Sequence, residues 1–273
     1  MPRTDGTADL QIIDAETLRR EDIIDVAAGK ALALRVPHYY TTDDCEIFAE
    51  RLLAAASLWT TYAPGTGADG IGTLGDSLFG CLGQELCEQY FEKARSMHPR
   101  LREAVHPYEF PVDRVVRELD REWPLGAGLL HVDGRAAFFG LVRRFSTGGA
   151  ALPHTDRADL DYPCSETAEL WTQLFVNVYL SKTETGGTVR LWSHGVDTAE
   201  EYDQLRLAPG HYALDRDRLD QAALEIDVPV GTLLIADARK IHEVTPCHGE
   251  GARLSVSGFI GYSGPDSALR MFS

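Results

Sequence analysis

The sequence predicts a mainly β protein in which a helical N-terminal portion packs on a β core of the sandwich, jelly-roll or barrel kind. Two observations carry this prediction. Before about residue 135 apolar residues recur at helical spacing, whereas after it short alternating segments are separated by Gly, Pro, Asp and Ser clusters. Many short strands with turn signals between them are typical of these β architectures.

Helical signals occur at four places in the first part of the chain. We expect Thr42 to cap one helix, because Asp43 and Asp44 follow it and acidic side chains stabilise the positive N-terminal end of a helix. Apolar residues then continue at helical spacing through Leu53. The other three helices are predicted over 15–34, 76–97 and 112–123.

Alternating apolar and polar residues predict six strands in the second part of the chain. These strands span 137–145, 171–180, 188–192, 224–228, 232–236 and 253–262. No stretch is long enough to act as a linker between independent domains, so we expect one domain over 1–273. Its parts are a mostly helical portion over 1–135, a β core over 136–263 and a C-terminal tail over 264–273.

Composition disfavours several kinds of partner and location. The net charge of −16 and pI of about 4.9 disfavour binding to nucleic acid or to anionic membranes. No apolar run approaches the roughly 20 residues that span a bilayer, and the first residues lack an apolar signal segment, so a cytoplasmic protein is expected. The five cysteines stand singly, which indicates buried thiols rather than disulfides or a thiolate zinc site.

A glycine-rich stretch over 64–72 invites comparison with a phosphate-binding loop. It has neither the strand, GxGxxG and helix context of a nucleotide site nor a Gly-Lys-Ser/Thr triplet. We therefore expect a mobile loop there, of the kind that covers a pocket.

One histidine and one carboxylate stand two residues apart at His154 and Asp156. In an extended strand alternate side chains share a face, so both can point into one pocket and bind one cation. A later histidine, His242, can complete a set of two imidazoles and one carboxylate. This ligand set leaves coordination positions open and suits non-haem Fe(II). An isolated HxD pair is common by chance, so the surrounding residues must decide.

Arg253 begins an alternating strand in which Ser255 and Ser257 share its face. An arginine that points into a β core needs an anionic partner, because an unpaired buried guanidinium is costly. A dicarboxylate could supply that partner through a two-pronged hydrogen bond, with a further donor at Ser255. An internal salt bridge to one of the many acids is the alternative.

The segment from Phe145 through Gly148 to His154 and Asp156 resembles the HxD region of Fe(II)- and 2-oxoglutarate-dependent oxygenases of the prolyl-hydroxylase-like type. Phe145 stands where that superfamily usually has tyrosine. The Gly-Gly strand over 186–192 and the segment from His242 through Pro246 and Gly251 to Arg253 are similar to its following strand, distal histidine and cosubstrate-binding arginine. The C-terminal segment is similar to that of standalone alkaloid and amino-acid halogenases in the same superfamily.

The resemblance implies a double-stranded β-helix, or cupin-like jelly roll, with N-terminal helices packed on it. It implies His154, Asp156 and His242 as iron ligands, 2-oxoglutarate as cosubstrate and O₂ as oxidant. The halogenases have glycine or alanine in place of the carboxylate ligand, whereas this chain has Asp156. The implied activity is therefore hydroxylation of an unactivated C–H bond of a small molecule, either an amino acid or a natural-product intermediate, with release of succinate and CO₂.

Further polar residues are expected around this site. Asn177 and Tyr179 are expected as cosubstrate contacts by analogy with the family, with an ordinary polar interior as the alternative. Only one of Arg143 and Arg144 can face inward, and alternation does not say which. The substrate contacts expected from the sequence are Arg144, Gln173 and Arg157.

Three rival interpretations remain open at this stage. The first is a halogenase or desaturase of the same fold. The second is a metal cupin without oxygenase activity, which would have no need of Arg253. The third is a binding module that has lost catalysis. The oligomeric state and the identity of the substrate do not follow from the sequence.

Overall fold

The computed structural model of the protein describes residues 11–61, 70–80 and 84–273. Within them the chain forms a large sheet of ten strands, a smaller sheet of four, and a two-stranded ribbon. The strands are β1 Ile12–Asp14, β2 Ala33–Val36, β3 Thr60–Thr61, β4 Ile71–Leu74, β5 Ala127–Leu129, β6 His131–Val132, β7 Arg135–Ala136, β8 Leu141–Phe145, β9 Ala151–His154, β10 Thr172–Ser181, β11 Val189–Gly195, β12 Leu224–Ile226, β13 Leu233–Asp237, β14 Lys240–Val244, β15 Arg253–Tyr262 and β16 Leu269–Phe272.

Seven α-helices and three 3₁₀ turns lie within the described residues. The helices are α1 Arg20–Ala27, α2 Thr42–Ala54, α3 Gln84–Val105, α4 Pro111–Glu122, α5 Ala158–Asp161, α6 Ser165–Ala168 and α7 Ala199–Leu205. The 3₁₀ turns are Ala56–Leu58, Leu78–Gly80 and Arg216–Arg218.

The large sheet runs in the order β1-β2-β13-β10-β15-β8-β4-β3, and β16 pairs with β15 and with β5. The smaller sheet runs β12-β11-β14-β9. The long strands β10 and β15 pair antiparallel at the centre of the large sheet, where almost every side chain is buried. Strand β15 has the predicted bounds, because its alternation is uninterrupted from Arg253 to Tyr262.

Helix boundaries differ from the predicted ones where tertiary contacts take over. Thr41, rather than Thr42, caps α2, since its hydroxyl accepts a hydrogen bond from the Asp44 amide at 3.1 Å. The helix expected from residue 76 begins at Gln84. Leu78, which precedes it, lies in a 3₁₀ turn, and the Leu78 amide donates to the Ser273 carbonyl. Much of the glycine-rich loop, with its expected role as a lid, lies outside the described residues.

The ends of the chain contribute strands to the large sheet. The expected helix over 15–34 is only the short α1, because β1 and β2 pair in parallel on either side of it. The expected tail over 264–273 contains β16, in which Met271 and Phe272 are fully buried against β15. Strands therefore lie on both sides of residue 135. The division of the chain there into a helical portion and a β core stays a prediction. No helix among the described residues combines the length and apolar character needed to cross a membrane.

Candidate metal and cosubstrate site

Two neighbouring strands of the smaller sheet carry the predicted histidines. His154 ends β9, His242 lies in the middle of β14, and the two residues are direct partners in the antiparallel register. Asp156 follows β9 by two residues, and its amide donates to the Ala238 carbonyl at 2.8 Å. The backbone therefore brings together three side chains that are far apart in sequence.

The ligand atoms of His154, Asp156 and His242 all lie within 4.8 Å of one another. The Asp156 Oδ2 atom is 3.3 Å from His242 Nε2 and 3.8 Å from His154 Nε2. The two imidazole rings have centroids 4.3 Å apart. Two imidazoles and one carboxylate at this separation can bind one divalent cation on one face, which is the donor set that non-haem Fe(II) uses.

Each histidine is oriented by the backbone of its own strand. The Nδ1 atom of His154 lies 2.6 Å from the Leu152 carbonyl oxygen, and that of His242 lies 3.0 Å from the Lys240 carbonyl oxygen. A carbonyl accepts only, so each Nδ1 carries the proton and each Nε2 presents its lone pair to the shared centre. The arrangement fixes both the tautomer and the ring direction that a metal needs.

The electrostatics of this centre also favour metal binding. Burial, reinforced by the neighbouring His242, lowers the pKa of His154 to about 4. Burial alone would raise the pKa of Asp156, but the two imidazoles outweigh it and hold that pKa below its usual value. Near neutral pH the site therefore offers a carboxylate and a neutral His154, the protonation states in which these residues bind metals.

The triad opens on a cavity of about 830 Å³. A volume of this size accommodates small-molecule ligands. Its wall on the large sheet includes Arg143, Phe175, Asn177, Arg253 and Ser255. Predicted site residues of both sheets therefore face one space.

Arg253 is 4 % exposed, yet among the described residues no carboxylate lies within 4 Å of its guanidinium. The guanidinium carbon instead lies 4.8 Å from the ring centre of Phe145 and 4.9 Å from that of Tyr179. This contact with two rings orients the cation without neutralising it. The alternative of an internal salt bridge is therefore wrong for the described part of the chain, and the residue fits a carboxylate ligand.

Glycine makes room for this arginine. Gly187 has a φ of +67°, and a Cβ at that position would lie 2.9 Å from Arg253 Cδ and 3.2 Å from Cys247 Sγ. Its amide donates to the Thr245 carbonyl, which ties the Gly-Gly turn to the segment after β14. The Gly-Gly pair noted in the sequence thus has a physical role beside Arg253.

The other residues expected near the cosubstrate lie on the same face of the large sheet. Ser255 pairs with Tyr179 in the register, and Asn177 pairs with Ser257. Ser255 and Asn177 line the cavity, whereas Tyr179 packs on Arg253. The Tyr179 hydroxyl is buried and makes no hydrogen bond of normal geometry to the described residues; burial raises its pKa, and the nearby Arg253 and Asn177 oppose that rise. An unsatisfied buried hydroxyl is unusual and is consistent with a polar ligand nearby.

The structure decides which arginine of β8 faces the cavity. Arg143 lines it, and its Nη1 atom donates to Ser257 Oγ at 2.5 Å. Arg144, the residue expected as a substrate contact, lies on the opposite face, 4.9 Å from the ring centre of Trp59. Arg144 lines a separate space of about 230 Å³, so Arg143 and not Arg144 is the arginine of β8 that lines the cavity of the triad.

The other two expected substrate contacts, Gln173 and Arg157, have hydrogen-bond partners within the protein. Gln173 is 2 % exposed, and its Oε1 accepts a hydrogen bond from the Ala158 amide at 3.0 Å, so it supports the turn after the triad rather than lining the cavity. Arg157 lines the cavity, but its guanidinium forms a two-pronged pair with Asp159 at 2.9 and 2.7 Å. Gln173 therefore lies outside the cavity lining, whereas Arg157 lines the cavity with its guanidinium already paired, and its role as a substrate contact stays a prediction.

Residues that sequence reasoning missed form a cover beside β9. The Tyr212 hydroxyl accepts a hydrogen bond from the Leu152 amide at 3.1 Å, and the Tyr212 ring lies 5.6 Å from that of His154. The Tyr202 hydroxyl donates to the Tyr212 carbonyl at 2.6 Å. Asp161, at the end of α5, also lines the cavity. No spacing rule links these residues to the HxD pair, because irregular segments bring them there.

Comparisons with known proteins identify similar chains. The sequence model of the family described as "carrier-protein-independent halogenase WelO5" matches residues 9–273. The L-gamma-glutamyl-L-propargylglycine hydroxylase of Streptantibioticus cattleyicolor is 24% identical over 152 residues, which cover 55% of this chain and 54% of that protein. The chain therefore spans about half the length of this curated relative.

Solved structures show the fold. An N-substituted L-amino acid dioxygenase from Burkholderia ambifaria superposes with a TM-score of 0.61 at 13% identity, covering 93% of this chain and 91% of that one. The same dioxygenase in complex with alpha-KG gives 0.57 at 15% identity, with 93% and 91% covered. The predicted class, a double-stranded β-helix with helices packed on it, is confirmed.

Proposed function

The chain belongs to the family of the carrier-protein-independent halogenase WelO5, and from this membership we propose that it is an Fe(II)- and 2-oxoglutarate-dependent oxygenase that hydroxylates a small molecule. The observation that carries the proposal is a pairing within one cavity. A triad of His154, Asp156 and His242 faces the same space as Arg253, a buried cation that has no acidic partner among the described residues.

Each residue has a definite task in this proposal. His154, Asp156 and His242 hold the iron. Arg253 holds the far carboxylate of 2-oxoglutarate, since a guanidinium binds a carboxylate through two parallel hydrogen bonds. The iron, with 2-oxoglutarate and O₂ bound, supplies an oxidant for an unactivated C–H bond, and succinate and CO₂ are released.

Neighbouring side chains complete the cosubstrate pocket. Ser255 and Asn177 offer hydrogen bonds from the strands beside Arg253, and Tyr179 supports it from behind. Phe175, whose ring centre lies 5.3 Å from that of His242, contributes an apolar surface next to the metal. Apolar walls exclude water, which strengthens the charge interactions inside and limits side reactions.

Hydroxylation is favoured over chlorination by Asp156. Its Oδ2 atom lies 3.3 Å from His242 Nε2, so the carboxylate occupies the coordination position that a halide would need. The family description favours halogenation, and the two outcomes are separable. With substrate and chloride both present, mass spectrometry should find an oxygenated product and no chlorinated one. A chlorinated product would overturn this assignment.

The proposal is tested by anaerobic titration of the purified protein with Fe(II) and then 2-oxoglutarate. A metal-to-ligand charge-transfer band in the visible should appear only when both are present. Admission of O₂ should then release succinate. A metal cupin without oxygenase activity would bind iron and form no succinate, and a binding module without catalysis would give no band.

The partner and location of the enzyme follow from the same reasoning. We propose an amino acid or a natural-product intermediate as substrate, because the curated relative is named as a hydroxylase of an amino-acid derivative. The net charge of −16 supports the expectation that neither nucleic acid nor membrane is a partner. A cytoplasmic location remains part of this proposal.

A further inference from the structure

One strand of the smaller sheet has less support than its place in the site requires. Among the described strands β9 lies at the end of that sheet and pairs only with β14, whereas β14 pairs with both β9 and β11. β9 also contains Pro153, which has no amide hydrogen to donate. His154, the last residue of β9, therefore has weaker backbone support than His242 in β14.

The connection between β11 and β12, residues 196–223, supplies further contacts to β9. It contains α7 and a 3₁₀ turn, and one buried apolar cluster joins it to the smaller sheet: Trp192, Val196, Leu214 and Ile241. The Leu214 amide donates to the Pro153 carbonyl at 2.7 Å. The Leu152 amide donates to the Tyr212 hydroxyl at 3.1 Å. These two bonds cover peptide groups of a strand that stands at the edge of its sheet.

Tyr212 reaches a metal ligand through a single residue. The Leu152 carbonyl lies 2.6 Å from His154 Nδ1, and the amide of the same Leu152 donates to Tyr212. The Tyr212 ring also stands edge-on to the His154 imidazole, with ring centres 5.6 Å apart and planes at 77°. We propose that Tyr212 is a positioning residue for the metal centre, which fixes Leu152 and thereby the tautomer and direction of His154. This inference rests on the proposed function and deepens it.

The backbone around Tyr212 is itself held in place. The Tyr202 hydroxyl donates to the Tyr212 carbonyl at 2.6 Å. The His211 ring stacks on the Tyr212 ring with centres 5.1 Å apart, and the following Ala213 is fully buried. A side chain can orient its neighbour only if its own position is fixed, and these contacts meet that condition for Tyr212.

His242 has a different support, because strands hold β14 on both sides. Its Nδ1 atom lies 3.0 Å from the Lys240 carbonyl oxygen, and Lys240 pairs with Gly195 of β11 in the register. Leu152 instead falls at the irregularity where the register between β9 and β14 shifts. The Tyr212 hydroxyl is therefore the acceptor that holds the Leu152 amide.

Loss of this hydroxyl would act on His154 through the backbone. The Leu152 amide would lose its acceptor, which favours local opening of the strand. The Leu152 carbonyl would then hold the Nδ1 proton of His154 less firmly, so the imidazole would rotate and change tautomer more freely. Groups that orient a metal-binding histidine directly contribute roughly 10- to 100-fold to metal affinity. Tyr212 acts one residue further away, so we expect a smaller effect.

The first test uses the full chain without metal. In Tyr212→Phe the Leu152 amide should exchange its hydrogen about tenfold faster than in the wild type, which amide hydrogen exchange measures. Nitrogen-15 spectra of the histidine side chains should show one tautomer of His154 in the wild type, protonated at Nδ1. The variant should show a mixture of both tautomers.

The second test measures iron. Anaerobic titration with Fe(II) in the presence of 2-oxoglutarate gives the iron affinity from the charge-transfer band. Tyr212→Phe keeps the ring and should lower this affinity about three- to tenfold. Tyr212→Leu also removes the edge-on contact with His154 and should lower it further. The conservative variant thus separates the hydroxyl from the ring.

The matched control is Tyr90→Phe on α3. The Tyr90 hydroxyl accepts a hydrogen bond from the Phe138 amide at 2.9 Å, so the control loses a bond of the same kind. It should lose similar global stability in chemical denaturation. Its Leu152 exchange rate, His154 tautomer and iron affinity should equal those of the wild type.

The outcomes separate this inference from the proposed function. If the wild type forms no charge-transfer band, the proposed function fails, and the exchange and tautomer measurements still test the contact between Tyr212 and His154. Wild-type exchange at Leu152 in Tyr212→Phe would overturn the inference, and so would faster exchange with unchanged iron affinity. An equal loss of iron affinity in Tyr90→Phe would assign the effect to global stability and also overturn it.

Discussion

The smaller and the large sheet present two differently built walls to the same cavity. On the smaller sheet His154 and His242 are held by hydrogen bonds to carbonyls of their own strands, at 2.6 and 3.0 Å. On the large sheet Arg253 is held by two aromatic rings, and no carboxylate among the described residues pairs with it. The first wall fixes the direction of its ligands through the backbone, whereas the second holds a buried charge that no acid among the described residues neutralises.

The difference indicates how the two halves of the site respond to their ligands. Imidazoles fixed by backbone hydrogen bonds lose little freedom when they bind a metal, so the metal wall is preorganised. A buried guanidinium without a counterion carries a desolvation cost, which a bound carboxylate repays. We therefore expect 2-oxoglutarate to stabilise the fold through the large sheet, by linkage between binding and folding.

The largest expected effect comes from removing a metal ligand on the smaller sheet. His242→Ala removes one of three ligands, and we expect iron affinity and succinate formation to fall by about 100-fold or more. The charge-transfer band in the anaerobic titration measures this loss. His194→Ala is the control, because His194 is half exposed and pairs with Asp220 outside the cavity. A normal band in His242→Ala would contradict the assignment of the triad.

The next largest effect comes from removing the arginine on the large sheet that we expect to bind 2-oxoglutarate. Arg253→Gln removes charge-assisted hydrogen bonds worth about 1.5–3 kcal/mol, so 2-oxoglutarate affinity should fall roughly 10- to 100-fold while iron binding persists. Without 2-oxoglutarate the variant should melt no lower than the wild type, because an unpaired buried charge has gone. Thermal melts with and without 2-oxoglutarate measure both effects, with the exposed Arg270→Gln as control. Unchanged stabilisation by 2-oxoglutarate would exclude Arg253 as its partner.

A smaller effect tests how the packing of Gly187 against Arg253 contributes to 2-oxoglutarate binding. In Gly187→Ala the new methyl group would lie 2.9 Å from Arg253 Cδ, so the guanidinium must shift. We expect 2-oxoglutarate affinity to fall severalfold, or about 1 kcal/mol. Gly134→Ala is matched to it, since Gly134 also has a positive φ, of +75°, but a Cβ there would meet no atom of the described residues within 4 Å.

Both glycine variants should lose similar stability, about 1–2 kcal/mol, because L-residues disfavour this backbone conformation. Only Gly187→Ala should alter 2-oxoglutarate binding, which isothermal titration measures. Equal 2-oxoglutarate affinities in the two variants would show that the close approach of Gly187 to Arg253 does not affect cosubstrate binding.

The smallest effect concerns two tyrosine hydroxyls. Tyr179→Phe removes a buried hydroxyl that makes no hydrogen bond of normal geometry to the described residues, so the protein should keep its stability and lose about two- to fivefold in 2-oxoglutarate affinity. Tyr202→Phe removes a hydroxyl that donates to the Tyr212 carbonyl at 2.6 Å, so it should lose about 1 kcal/mol of stability and no affinity. Chemical denaturation and titration of the pair measure this contrast. The reverse pattern would place the ligand contact at Tyr202.

The sequence predicted best the long strands whose apolar and polar residues alternate without interruption. Strand β15 has its predicted bounds and β10 is shifted by one residue, because both alternate without interruption. Strands β9 and β14 were not predicted as strands, since they are short and β9 contains Pro153. The triad was nevertheless predicted from its motif, and the register of His154 with His242 explains why it converges.

The rest of the site depends on contacts that no local pattern encodes. Alternation states that Arg143 and Arg144 face opposite sides, but only pairing with β4 and β15, with Trp59 on the outer face, decides which is inward. Gln173 shares a face with Asn177, yet it lies at the start of β10, where its side chain accepts a hydrogen bond from the Ala158 amide. Its distance along the strand, rather than its face, excludes it from the cavity.

The hydrogen bonds from each histidine Nδ1 to its own strand have a consequence for metallation in the cell. They do not depend on which metal binds at Nε2, so Fe(II), Co(II), Ni(II) and Zn(II) meet the same ligand set of His154, Asp156 and His242. Affinity for such sites rises from iron towards copper across the divalent series. Iron is therefore among the weaker competitors, so affinity alone does not select it, and metal supply contributes to which ion occupies the site.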